Sequence, residues 1–155
     1  MGFLLEKKKN KFLLSDFDKV FIPVNVNNLH WMLIVIYVET KKVVCYDSMI
    51  SGKKPEYYNK FITTVENWVR EEAQENQIDV SKLESIVHQK SPQQDNDFDC
   101  GVFVCICADF LSDNLPLDYS QDNMFFFRDK IAADILRGSL NYTFDDQPGD
   151  HSVRL

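Results

Sequence analysis

No apolar run in this 155-residue chain is long enough to cross a bilayer. The longest, Trp31 to Val38, is rich in the β-branched side chains of a buried strand, so no transmembrane helix is expected. The first residues lack the apolar stretch and small-residue cleavage site of a secretory leader, and Glu6 stands where an N-myristoylation signal needs Ser or Thr. An intracellular protein, nuclear or cytoplasmic, is expected. Positive charge is in deficit, with 17 Lys and Arg against 24 Asp and Glu, a net charge of −7 and a pI near 4.9. Nucleic-acid binding would have to work against that field, and the basic cluster of Lys7, Lys8, Lys9 and Lys11 reads as a solvated chain end. Histidine is scarce (His30, His88 and His151), and Cys105 and Cys107 stand too close together for zinc-finger spacing. No metal site and no cofactor are expected. Four cysteines in an intracellular chain of this size should be free thiols. Internal repeats and low-complexity tracts are also missing.

What is present is ample core material, 45% hydrophobic and 13% aromatic, enough for a single domain over 1–155 with a mobile acidic tail at 144–155. Phe21 to Val26 reads as a strand in which Pro23 demands an edge or a bulge. Trp31–Val38 and Val43–Tyr46 flank the polar Glu39–Lys42 and read as a hairpin, with Asp47 and Ser48 just past its second strand. After the loop Ser51–Pro55, the positions Tyr58, Phe61, Val65, Trp68, Val69 and Glu72 fall on one face of a helix, and Ser85–Gln89 is a further short strand. Asp99–Leu111 is apolar almost all round, as a central buried helix would be. A last helix carries Met124, Phe127, Ile131 and Ile135, with Asn123 or Asp122 as cap and Gly138 as terminator. The predicted class is α+β.

Among the cysteines, Cys100 stands apart. It follows the turn-forming run Ser91–Asp99 and opens the buried helix, where free backbone N–H groups and the positive end of the helix dipole favour thiolate. Cys105 and Cys107 lie further along the apolar helix and read as small core hydrophobes. A nucleophilic thiol needs an imidazole base. His151 falls in the tail and His88 in a strand, whereas His30 follows the polar loop Asn25–Asn28 and sits at the rim of the core. A base needs an orienting partner, and Asp47 qualifies because the proposed hairpin brings the start of one strand beside the end of the other. The backbone N–H of Cys100 supplies one donor for an oxyanion; the side-chain amide of Gln94, six residues earlier, is the candidate for a second.

These positions also carry a resemblance. Leu29-His-Trp31, Tyr46-Asp-Ser48 and Pro92-Gln-Gln-Asp-Asn-Asp-Phe-Asp-Cys-Gly101 resemble the signature of the Ulp1/SENP family of SUMO-specific cysteine peptidases, in the order His, Asp, Gln, Cys. The similarity runs from Val20 to Leu140 and takes in the helix that contains Arg128. It implies a papain-like fold of the Ulp1/adenain type, a central mixed sheet flanked by helices with the catalytic cysteine at a helix N-terminus. It further implies His30, Asp47, Gln94 and Cys100 as catalytic residues, and Trp31 as one wall of a tunnel that admits the C-terminal Gly-Gly of a ubiquitin-like modifier, because only glycine passes between two indole faces. The implied partners are SUMO or a relative and its conjugates, met by a monomer without nucleic acid or membrane. NEDD8 or ubiquitin cleavage, or a non-catalytic modifier-binding module, are the alternatives. Two departures are visible: nothing before Phe21 resembles the family's upstream segment, so the chain is expected to lack it, and Asp97 stands where many members have Gly.

Overall fold

The protein is described here by a computed structural model covering residues 13–76 and 78–138; the tail at 144–155, His151 and the lysine cluster fall outside these residues. The long apolar run becomes β2 (His30–Tyr37), in which Met32 to Ile36 are at most 1% exposed. It lies inside a four-stranded sheet of order β1 (Lys19–Val26), β2, β3 (Lys42–Tyr46), β4 (Glu84–Gln89). The pairs β1/β2 and β2/β3 are antiparallel, and β3/β4 is parallel. A parallel neighbour cannot be reached by a tight turn, so the chain crosses over through α1 (Glu56–Asn76). Pro23 sits on the edge strand β1, opposite Leu33, where its missing N–H costs no interior ladder bond.

Side chains alternate across the sheet, and each face has its own helical cover. Met32, Ile34, Ile36, Val43 and Cys45 pack with α1 residues Tyr58, Ile62, Val65 and Val69. On the other face Leu33, Val35, Val44 and Tyr46 meet Cys107 of α2 (Cys100–Ser112). A further cluster joins Val102, Phe103 and Ile106 of α2 to Tyr119 and to Met124 and Phe127 of α3 (Met124–Arg137). The result is an α+β sheet covered on both sides, the predicted class. No helix among the described residues is long and apolar enough to cross a membrane.

Three expectations need correction. The buried face of α1 runs through Tyr58, Ile62, Val65, Val69 and Ala73, leaving Trp68 40% exposed. The Tyr58 hydroxyl, on that same face, donates to Asp47 at 2.9 Å. Cys105 is exposed, because α2 is covered by the sheet along Val104, Cys107, Ala108 and Leu111 and by α3 along Val102, Phe103 and Ile106, and Cys105 falls in the strip between. Asn123 makes no side-chain cap to α3. A 3-10 turn (Gln121–Asn123) runs straight into the helix, and Asn123 Oδ1 instead accepts the Ser120 N–H at 2.9 Å. The stop is as expected: Gly138, at φ 68°, donates its N–H to the Asp134 and Ile135 carbonyls.

Candidate active site

The register of β2 and β3 creates the first half of the site. Tyr46 pairs with Leu33, so Asp47, the next residue, falls beside Met32 and diagonal to His30, within reach of a long side chain. His30 Nε2 lies 2.7 Å from Asp47 Oδ1, and the two residues are 8% and 0% exposed. A carboxylate without solvent must be satisfied by the protein. Asp47 Oδ1 also accepts the Met49 N–H at 2.8 Å, while Oδ2 accepts Lys53 Nζ at 2.8 Å and the Tyr58 hydroxyl at 2.9 Å. Burial pushes the Asp47 pKa up, but the hydrogen bonds from His30, Lys53 and the Met49 N–H together outweigh it and hold the group below its ordinary value. An ionised Asp47 can only accept, so Nε2 of His30 carries the hydrogen and Nδ1 is left as the basic nitrogen of the neutral ring.

The second half is the start of α2. Cys100 is its first residue, 7% exposed, in the turn whose N–H groups have no intrahelical acceptor. The preceding loop is held from two sides. Asn96 Oδ1 accepts the N–H groups of Phe98 and Asp99, turning the chain into the helix. Asp99, 3% exposed, accepts from Asn96 Nδ2 at 2.7 Å, Gln121 Nε2 at 2.7 Å and Arg128 Nε at 2.9 Å, and Arg128 Nη2 donates to the Phe98 carbonyl at 3.1 Å. Burial raises the Asp99 pKa, and the bonds from Asn96, Arg128 and Gln121 reverse that and leave it lowered. The other cysteines stand away from the helix start. Burial pushes Cys45 and Cys107 up to about 12, and desolvation followed by the charge of Asp109 raises Cys105, so all three remain thiols near neutral pH.

The two halves are stapled together. Gln93 Nε2 donates to the Asp47 carbonyl at 2.8 Å and Ser91 Oγ donates to it at 3.1 Å, while the Gln94 N–H reaches the Ser48 carbonyl at 2.8 Å. Gln94 itself is half-buried: its Oε1 accepts Ser48 Oγ at 2.6 Å and its Nε2 donates to the Asn96 carbonyl. Trp31, on the opposite face of β2 from His30, is 41% exposed, and its Cδ1 lies 3.9 Å from where a Cβ on Gly101 would stand. His30, Trp31 and the start of α2 thus share one end of the sheet. Asp97 is not among the described non-glycine residues at positive φ, which are Asn27, Asn28, Lys41 and Asn114, so that position makes no demand for glycine. Sequence reasoning missed Lys53, Tyr58, Gln93, Asn96, Gln121 and Arg128 as supports of the site. Only Asn96, a turn-former two residues past Gln94, carried a local signal.

Comparison with known proteins identifies the family. The model of the Ulp1 protease family, C-terminal catalytic domain, matches residues 3–140, beginning upstream of Val20. The chain is 35% identical over 130 residues to ubiquitin-like-specific protease 1A of Arabidopsis thaliana, covering 84% of this chain and 25% of that protein. It is 30% identical over 133 residues to ubiquitin-like-specific protease 1 of Saccharomyces cerevisiae, covering 86% and 21%. The chain therefore spans about a quarter or less of these two relatives. Among solved structures it superposes on the C-terminal Ulp1 protease domain in complex with Smt3, the yeast ortholog of SUMO, with a TM-score of 0.74 and 30% identity over 81% of this chain and 55% of that one. The catalytic domain of a Ulp1-like SUMO protease from Chaetomium thermophilum gives 0.72 and 26%, over 85% and 51%. The chain belongs to the Ulp1 protease family, in the part that forms its C-terminal catalytic domain.

Proposed function

We propose that this chain is a thiol peptidase that cleaves after the C-terminal Gly-Gly of a ubiquitin-like modifier, with SUMO the modifier, in precursor processing, deconjugation or both. The observation that carries the reading is the buried His30–Asp47 pair at the end of the sheet that also meets the first turn of α2, where Cys100 stands. His30 Nδ1 takes the thiol proton while Asp47 holds Nε2, and the thiolate attacks the glycine carbonyl. The oxyanion is held by the Cys100 N–H and by the second N–H of Gln94, whose amide is fixed by Ser48 and Asn96. Collapse of the intermediate expels the amine, which takes the proton from His30; water then releases the thioester with His30 again as base. Trp31, beside Gly101, forms a wall against which only a side-chain-free backbone passes. Similarity to proteins named as SUMO or ubiquitin-like-specific proteases supports the modifier class. We place the activity inside the cell, in a monomer that needs no cofactor.

The test is a SUMO carrying a C-terminal electrophile, set beside NEDD8 and ubiquitin counterparts. Covalent capture of SUMO that vanishes in Cys100→Ala is expected. Capture of ubiquitin alone would overturn the modifier assignment, and a folded protein that captures none would overturn the enzymatic one.

A further inference from the structure

The grip on Asp47 includes a cation for which the peptidase chemistry above has no role. Lys53 Nζ lies 2.8 Å from Asp47 Oδ2 with the lysine side chain 18% exposed, and it stands 5.1 Å from the centre of the Tyr57 ring. The chain brings it there by a tight reversal: the Lys53 N–H donates to the Ile50 carbonyl at 3.0 Å, and Gly52 takes φ 74°. Glycine is suited to the third position of such a turn, and Lys53 leaves it pointed back toward the end of β3.

The groups facing Asp47 come from every neighbouring element: His30 from β2, Cys45 from β3, Lys53 from the turn, and Tyr57 and Tyr58 from α1. Burial, and after it the charge of Asp47, raises Cys45, Tyr57 and Tyr58, which are therefore neutral around pH 7. Within this set only His30 and Lys53 can bring positive charge to the carboxylate. Two consequences follow from the geometry. With Oδ2 committed to Lys53 and Tyr58, the carboxylate cannot swing, and Oδ1 stays on Nε2 of His30. A carboxylate with no other cation beside it favours the protonated form of an imidazole bonded to it, and a lysine on its far oxygen weakens that preference.

We propose that Lys53 is a positioning residue of the site, fixing Asp47 against His30 and setting how readily His30 exchanges its proton. The inference rests on the reading of His30 and Cys100 as base and nucleophile. Its test compares wild type, Lys53→Met and Lys53→Arg by two readouts: the titration of the His30 imidazole by NMR in a Cys100→Ala background, and the pH dependence of kcat/KM on a SUMO reporter. Losing the lysine should raise the His30 midpoint by about one pH unit and move the acid limb of kcat/KM, where the base loses its proton, the same way, with arginine restoring both. If Lys53→Met does not fold, Lys53→Gln keeps a donor without the charge and gives the same comparison. A midpoint that stays put or falls in the folded variant would refute the proposal. A wild type without peptidase activity but with the NMR shift would count against the peptidase reading alone.

Discussion

Replacing Arg128 by Met tests how the helix that opens at Cys100 is held in place. Arg128 of α3 and Asp99 form an ion pair directly before Cys100, with Asp99 3% exposed and the Arg128 side chain 46% exposed. Removing one partner of a fully buried pair costs about 3–5 kcal/mol, because the other charge is stranded. Here the arginine is half in solvent, which screens the pair, and Asp99 keeps Asn96 and Gln121 as donors, so the expected loss is roughly half of that, ~2 kcal/mol. For a domain of this size that lowers Tm by about 4–8 °C. The pH dependence has a definite sign. The Asp99 pKa is lowered in the folded state, so its stabilisation is present above the unfolded carboxylate value near 3.9 and is lost as pH falls through the folded value. The gap between wild type and Arg128→Met should therefore be complete from about pH 5 upward and close below about pH 4. Urea melts across this range measure it, and a cycle with Asp99→Asn should show the two substitutions to be strongly non-additive. Because Arg128 also holds the Phe98 carbonyl, kcat on a SUMO reporter should fall more than KM rises. A gap under about 0.5 kcal/mol, the scatter of neutral surface changes, or one constant from pH 3 to 7, would refute the reasoning.

Two further substitutions or treatments separate chemistry from packing. Asp47→Asn should cut kcat/KM by about 10²–10⁴-fold, since an amide cannot stabilise an imidazolium as a carboxylate does, and a loss below tenfold would show that His30 needs no charged partner. It should also lower the melting temperature, because Lys53 and Tyr58 lose an ionic acceptor. In native Cys100→Ala, alkylation at pH 8 followed by mass spectrometry should find Cys105 modified, while Cys45 and Cys107, buried and pushed up to about 12, react only on unfolding. Equal labelling of all three would contradict the packing of α2.

The parts of the site legible in the sequence are those that local rules fix. Alternating apolar residues specify β2 and β3, a two-strand register then places Asp47 near His30, and a turn-rich run before an apolar helix marks Cys100. What stayed hidden depends on how elements rotate and dock. Arg128 reaches Asp99 across 29 residues, and no local pattern announces that pairing. Trp68 satisfied the helical spacing as well as Ile62 did; which of the two is buried is settled by how α1 docks on the sheet through Tyr58, Ile62, Val65 and Val69, for which the local pattern has no signal. Cys105 was masked for the same reason, since a helix apolar on all sides does not say which side its neighbours leave open. Lys53 read as one more loop lysine because its partner lies on a strand end.

Asp47 connects these observations, being at once the hydrogen-bond partner of His30, the proposed base, and a core residue of the α1 face. Its 0% exposure means that every donor around it comes from the fold: a strand through His30, a turn through Lys53, a helix through Tyr58 and the chain's own Met49 N–H. The carbonyl of the same residue holds Ser91 and Gln93, the start of the loop that leads to Cys100. Cys100 and His30 are also buried, at 7% and 8% exposed, but the small Cys100 side chain stands outside the set of donors on Asp47. A truncation at Cys100 should therefore remove chemistry with little loss of stability, whereas any change at Asp47 must disturb folding and catalysis together. Activity lost at Asp47 consequently assigns a catalytic role only when the variant's melting behaviour is measured beside it, and the clean dissection of the site runs through Cys100, His30 and Lys53.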